Sequence, residues 1–136
     1  MCNDWVGLSA NDTKKKKTSA DDIGDMMHRQ DMKRLIDDIF EEVLRVRDAG
    51  QTEYARDRDN VFANFERVAS FTGTTREKAL LTYMIKHIDG ICAYADGHRS
   101  QRENVRGRLT DIIVYCLLLW GMVEDNDVKT KERNNG

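Results

Sequence analysis

The stretch RLTDIIVYCLLLWGMV, Arg108–Val123, decides the fold. From Ile112 to Trp120 it is apolar without a break, and one carboxylate, Asp111, stands at its head. A helix that is hydrophobic on all sides belongs inside a domain rather than on its surface. The run falls short of the roughly 20 apolar residues needed to cross a bilayer. It therefore predicts a buried central helix with an acid in or beside the core. An ionised carboxylate there must be paired, hydrogen-bonded or bound to a metal.

Working outward, Asn104 can open this helix, after a polar turn over His98–Glu103. Before the turn, Thr74 and Glu77 form a T-x-x-E capping box, the signature of a helix start. The helix it opens carries a stripe of Leu81, Met84, Ile85, Ile88, Cys92 and Ala95 and stops at Asp96-Gly97. Lys86 and Asp89 lie on its flank. Earlier still, NVFANFERVASF reads as a helix capped by Asn60 or Asp59, with Phe62, Phe65 and Ala69 on one face. The first helix opens at Thr18 or Ser19, with Asp21 and Asp22 in its first turn where carboxylates suit the dipole. Met32, Leu35, Ile36, Ile39, Phe40, Val43 and Val46 recur along it at three- and four-residue steps until Ala49-Gly50. Asp38 and Glu42 fall along one edge of that stripe. Gln51–Asn60 lacks periodicity and reads as a connector.

No strand-type alternation and no internal repeat appears. The expected fold is all-α: an antiparallel bundle of about four main helices occupying residues 20–124. Polar tails flank it at 1–19, with the run Lys14–Lys17, and at 125–136. Stripes on the first and last helices that one chain cannot cover would favour a homo-oligomer.

Composition narrows the functional classes. The 136 residues suit one domain, and 40% hydrophobic with 34% charged residues is ordinary for a folded soluble chain. There is no proline, so glycine does the punctuation. The formal net charge of −2 gives no electrostatic reason to expect duplex nucleic acid as partner. Cys2, Cys92 and Cys116 are an odd number at wide spacing, which makes neither a disulfide framework nor a zinc motif. With no signal-type apolar core and no membrane span, the expected location is cytoplasmic.

The sequence contains no glycine-rich phosphate loop, no G-x-S-x-G and no H-E-x-x-H. His28, His87 and His98 read as non-catalytic. What remains is a set of polar groups on bundle helices: Asp38, Glu42, Lys86, Asp89, Arg108, Asp111 and Tyr115. Arg108, Asp111 and Tyr115 share one helical face. Inward acids from facing helices are how a bundle builds a divalent site, here Asp111 with Asp38, Glu42 and Asp89. Mg²⁺ takes a few carboxylates, waters and phosphate oxygens, and Lys86 or Arg108 would neutralise the phosphate. Equally open is a buried ion pair in which Arg108 or Lys86 simply neutralises Asp111.

The segments EYARDRDNVFANFERVASFTG, KALLTYMIKHIDGI and GRLTDIIVYCLLLWGMVED resemble the nucleotide-modification-associated domain 1 proteins of phages and prophages. More distantly they resemble the all-α MazG-type nucleoside triphosphate pyrophosphohydrolases. The pieces that carry the likeness lie between Tyr54 and Glu124: Tyr54, Asn64-Phe65 with Ala69, Lys86, and the D-x-x-x-Y of Asp111 and Tyr115. The resemblance implies a nucleotide ligand contacted by Lys86, Arg108, Tyr115 and Asn64, and Mg²⁺ held by acids including Asp111. In the MazG-type enzymes an E-x-x-E pair and an E-x-x-D pair hold the metal. Here Arg108 occupies the glutamate position of the second pair, and Asp38 with Glu41 or Glu42 matches the first only loosely. An arginine at a metal-ligand position favours phosphate binding over metal binding. The expected function is a phage-type protein that acts on or sequesters a nucleotide or nucleotide-derived signal. Two alternatives stay open: a Mg²⁺-dependent nucleoside triphosphate pyrophosphohydrolase, and a phage-encoded inhibitor of a host defence protein.

Overall fold

Side-chain caps open two of the helices, and the other two begin without one. The computed structural model describes residues 26–136. Lys14–Lys17, the expected cap at Thr18 or Ser19, and Asp21 and Asp22 lie outside them. Helix α1 runs Arg29–Gly50, opened by His28 in extended conformation, so it starts later than the sequence suggested. The chain then tightens into a π-helical turn, Gln51–Ala55, which Arg56 ends in the left-handed region at φ 52°. Helix α2 spans Ala63–Thr72, α3 spans Arg76–Ala95, and α4 spans Val105–Asn134. Among the described residues there is no strand, and the fold is all-α.

The caps follow the expected chemistry with small shifts in register. Thr75, not Thr74, caps α3 by accepting a hydrogen bond from the Lys78 backbone N–H. Asn104 caps α4 through Oδ1 to the Arg106 N–H, as expected. Asn60 accepts from Phe62 N–H just ahead of α2, after Asp57 Oδ1 has taken the N–H groups of Asp59 and Asn60 in an Asx turn. Gly73 closes α2 at φ 66°, a conformation that costs glycine little.

α3 and α4 pack antiparallel over their length. Arg76 at the start of α3 bonds to Asp125 and Asn126 late in α4, while Gly90 late in α3 lies against Arg108 early in α4. α2 lies against α3 and α1 against α4. The core between them holds Val43, Phe65, Leu80, Val114, Tyr115, Leu118 and Met122. Each such side chain contributes about 1.5–3 kcal/mol of burial. Phe65 meets Tyr83 and Tyr115 edge to face at 6.1 and 6.3 Å.

Three expectations need correction. The α4 run is not buried all round: Leu117, Trp120 and Val123 are exposed, because α1 and α3 cover only part of its circumference. Cys92, read as part of the apolar stripe of α3, and Cys116, within the apolar run of α4, are both exposed free thiols. The region expected as a C-terminal tail is helical to Asn134. No glycine or proline interrupts it from Met122 to Asn135, and it carries an Asp125–Lys129 pair at 2.7 Å. No helix among the described residues is long and apolar enough to cross a membrane.

Candidate functional site: a buried acid–imidazole cluster beneath a basic cleft

The α3 face that meets α4 is made by Ala79, Leu80, Met84 and His87, at three- and four-residue steps. It is turned by about one residue from the stripe read in the sequence, and Leu81, Ile85 and Ile88 face outward instead. That rotation brings His87 inside, 3% exposed, opposite Asp111 of α4, 2% exposed. His87 Nδ1 stands 3.5 Å from Asp111 Oδ2 and 4.0 Å from Glu103 Oε1. Glu103 is placed by the turn before α4, where Ser100 Oγ accepts the N–H groups of Arg102 and Glu103. Arg108 Nη2 donates to Glu103 Oε2 at 3.0 Å. The imidazole also lies against the Tyr115 ring, with centroids 5.7 Å apart.

Electrostatics in this cluster are set by burial. The Asp111 carboxyl is pushed up to about 7 by its removal from water, with the neighbouring Glu103 charge adding and Arg108 opposing. Burial likewise holds the His87 imidazole below its ordinary value, against Glu103 and with Arg108 and Lys86. His87 Nδ1 and Asp111 Oδ2 are both buried and have no hydrogen-bond partner. An acid that titrates near neutrality beside a neutral imidazole can hold, give or take a proton.

Above the cluster, a cleft of about 860 Å³ opens between the end of α3, the 96–104 connection and the start of α4. Lys86, His98, Arg99, Arg102, Arg106 and Arg108 line it, against Asp89 and Glu103. Arg99 lies over the Tyr94 ring at 4.3 Å, and Tyr94 is part of the same wall. Arg108 reaches its place by crossing α3 at Gly90, where a Cβ would overlap the arginine side chain. This explains a glycine in a helix interior, where it costs roughly 0.5–1 kcal/mol relative to alanine.

Of the residues singled out in the sequence, Lys86, Asp89 and Arg108 line the cleft and Asp111 lies in the cluster. Tyr115 is in the core, 1% exposed, against His87 and Phe65, so its ring supports the cluster from beneath. Asn64 sits half-buried on α2 and is not part of the cleft. Asp38 and Glu42 lie exposed on α1, where Glu42 pairs with Arg45. Among the described residues, the group of possible metal ligands is His87, Glu103 and Asp111, which Asp38, Glu42 and Asp89 do not join. Mg²⁺ prefers oxygen donors, and a set with an imidazole at its centre does not match that preference. Arg108 pairs with Glu103 at 3.0 Å.

His87 and Glu103 are the members that sequence reasoning missed. A signal for His87 was present: the steps Leu80, Met84, His87 place it on a helical face with two large apolar residues. Glu103 lies in a turn, where no periodicity can mark it. No family model, curated protein or solved structure matches this chain.

Proposed function

We propose that the protein binds a nucleotide or nucleotide-derived small molecule in the cleft between α3 and the start of α4. The observation that carries this reading is the cleft's lining: five lysine and arginine side chains and His98 against two acids, with Tyr94 in the wall. Arg guanidinium groups suit phosphate through their fixed fork of donors, and lysine supplies a point charge. The N-terminus of α4, through Asn104, Val105 and Arg106, adds its partial positive charge to the same cleft. The Arg99 guanidinium, held over Tyr94, offers a planar group against which a base can lie, which distinguishes a nucleotide from inorganic phosphate. The chain's overall charge of −2 makes the cationic lining a local feature rather than a general attraction to polyanions.

Calorimetric titration with mono-, di-, tri- and cyclic nucleotides tests the reading, with inorganic phosphate as the comparison. Binding of at least one nucleotide is expected, weakened about tenfold or more by Arg102→Gln or Lys86→Ala. Silence across the whole panel would sink it.

We also propose that the protein assembles with copies of itself. Met32, Leu35, Ile36 and Phe40 on α1 and Leu117 and Trp120 on α4 are exposed, more apolar surface than single scattered residues would leave. A two-fold pairing of such faces would bury the same patch on both partners.

A further inference from the structure

We propose that His87, Glu103 and Asp111 form a binding site for a divalent transition-metal ion of the zinc class, distinct in ligands and ion from an oxygen-only Mg²⁺ site. One atom from each residue, a ring nitrogen or a carboxylate oxygen, lies within 4.8 Å of the other two. The His87 Nδ1 to Asp111 Oδ2 edge is 3.5 Å. Two ligands about 2.0–2.1 Å from a tetrahedral zinc stand roughly 3.4 Å apart, so this edge already has the right length. The edge from His87 Nδ1 to Glu103 Oε1, at 4.0 Å, closes by a small rotation of the glutamate.

A second observation points to a ligand rather than a simple contact. His87 Nδ1 and Asp111 Oδ2 are both buried without a hydrogen-bond partner, although they face each other. A direct imidazole–carboxylate hydrogen bond would draw them to about 2.7–2.9 Å. Buried polar atoms are rarely left unsatisfied, and an ion between them satisfies both at once. The surroundings behave as a metal site's outer shell. Arg108 holds Glu103 by Oε2, which leaves Oε1 on the His87 side. Tyr115 packs against the imidazole and limits its tilt. Two carboxylates match the charge of a divalent ion, and the imidazole selects zinc, cobalt or nickel over magnesium. Glu103 and Arg108 also line the cleft, so water or a cleft ligand can supply the remaining coordination.

The test needs no nucleotide and stands apart from the nucleotide reading. Full-length protein carrying Cys2→Ser, Cys92→Ser and Cys116→Ser, stripped with a chelator, is titrated with Co²⁺ and followed by visible absorption. The serine background removes thiolates that bind these ions on their own. One Co²⁺ per chain is expected, displaced by Zn²⁺ and not by an equal concentration of Mg²⁺. His87→Gln and Glu103→Gln should each weaken binding by more than about tenfold, since even outer-shell changes cost 10–100-fold. Far-ultraviolet circular dichroism checks that both variants keep their helices; Glu103, in the turn, is the substitution least able to disturb the core. Absence of saturable Co²⁺ binding, binding unchanged in both folded variants, or displacement by equimolar Mg²⁺ would each overturn the proposal.

Discussion

At the scale of single residues, Asp111 governs how the molecule responds to pH. The groups acting on it are Glu103 from the preceding turn and Arg108 from its own helix, with the His87 ring of α3 at 3.5 Å. Its carboxyl titrates near 7 when folded and near 3.8 when unfolded. The folded state therefore binds the proton more tightly, and stability falls as pH rises from about 4 to about 7. The full shift corresponds to roughly 4 kcal/mol. His87, held below its ordinary value by burial, gives a slope of opposite sign below pH 6.5, and comparison with a variant largely removes it. In chelator-treated protein, urea unfolding of Asp111→Asn against wild type should show little difference near pH 4 and a gain for the variant of about 2–4 kcal/mol at pH 8. A pH-independent difference would show that Asp111 keeps an ordinary affinity for protons. The importance of Asp111 was legible in the sequence because an acid next to nine apolar residues needs an explanation. Its partners were not legible, since a histidine on a helix and a glutamate in a turn become neighbours only after packing.

At the scale of elements, the pairing of α3 with α4 is fixed at both ends by arginines. Near one end Arg108 crosses Gly90 and holds Glu103. At the other, Arg76 reaches Glu66 of α2, Glu77 of α3 and Asp125 and Asn126 of α4, and lies over the Phe62 ring at 4.8 Å. Its side chain is only 11% exposed, so these contacts are shielded from bulk water more than surface pairs are. Arg76→Ala removes the cation shared by Glu66, Glu77 and Asp125, of which Asp125 keeps Lys129. A loss of about 2 kcal/mol is expected, with faster amide hydrogen exchange in α4 beyond Met122 than before it. Uniform exchange along α4 would contradict the anchoring role. The sequence announced the helices well, because capping residues and apolar spacing are local properties. It misjudged two things. The face of α3 came out one residue off, since Ala79 and His87 weigh less on a hydropathy count than Leu81, Ile85 and Ile88. The continuation of α4 reads as a tail because it is polar, whereas it is helical to Asn134, with Asp125 paired to both Arg76 and Lys129.

At the scale of the whole molecule, the apolar residues left on the outside are the main unresolved surface. Phe40 is 53% exposed and Trp120 69% exposed on helices whose other faces are packed. Sedimentation velocity over a range of concentrations should give a mass above that of one 15.7 kDa chain, and Phe40→Glu should lower it. A monomer at all concentrations would remove self-association. The exposed stripe on the first helix was readable from the sequence, because its apolar residues outnumber what one neighbour can cover; the exposed face of α4 was not, because an unbroken apolar run reads as buried on all sides.

The order of packing along the chain has a kinetic consequence. Every member of the acid–imidazole cluster and every residue lining the cleft comes from one antiparallel pair, α3 and α4, and the short connection between them. Closing that hairpin requires a loop of only nine residues, from Asp96 to Asn104. α1, in contrast, docks through contacts with α4 that are far apart in sequence. Local pairings form early and distant ones late. The site can therefore assemble before α1 docks and persist when α1 transiently opens, which separates the lifetime of the binding site from that of the complete fold.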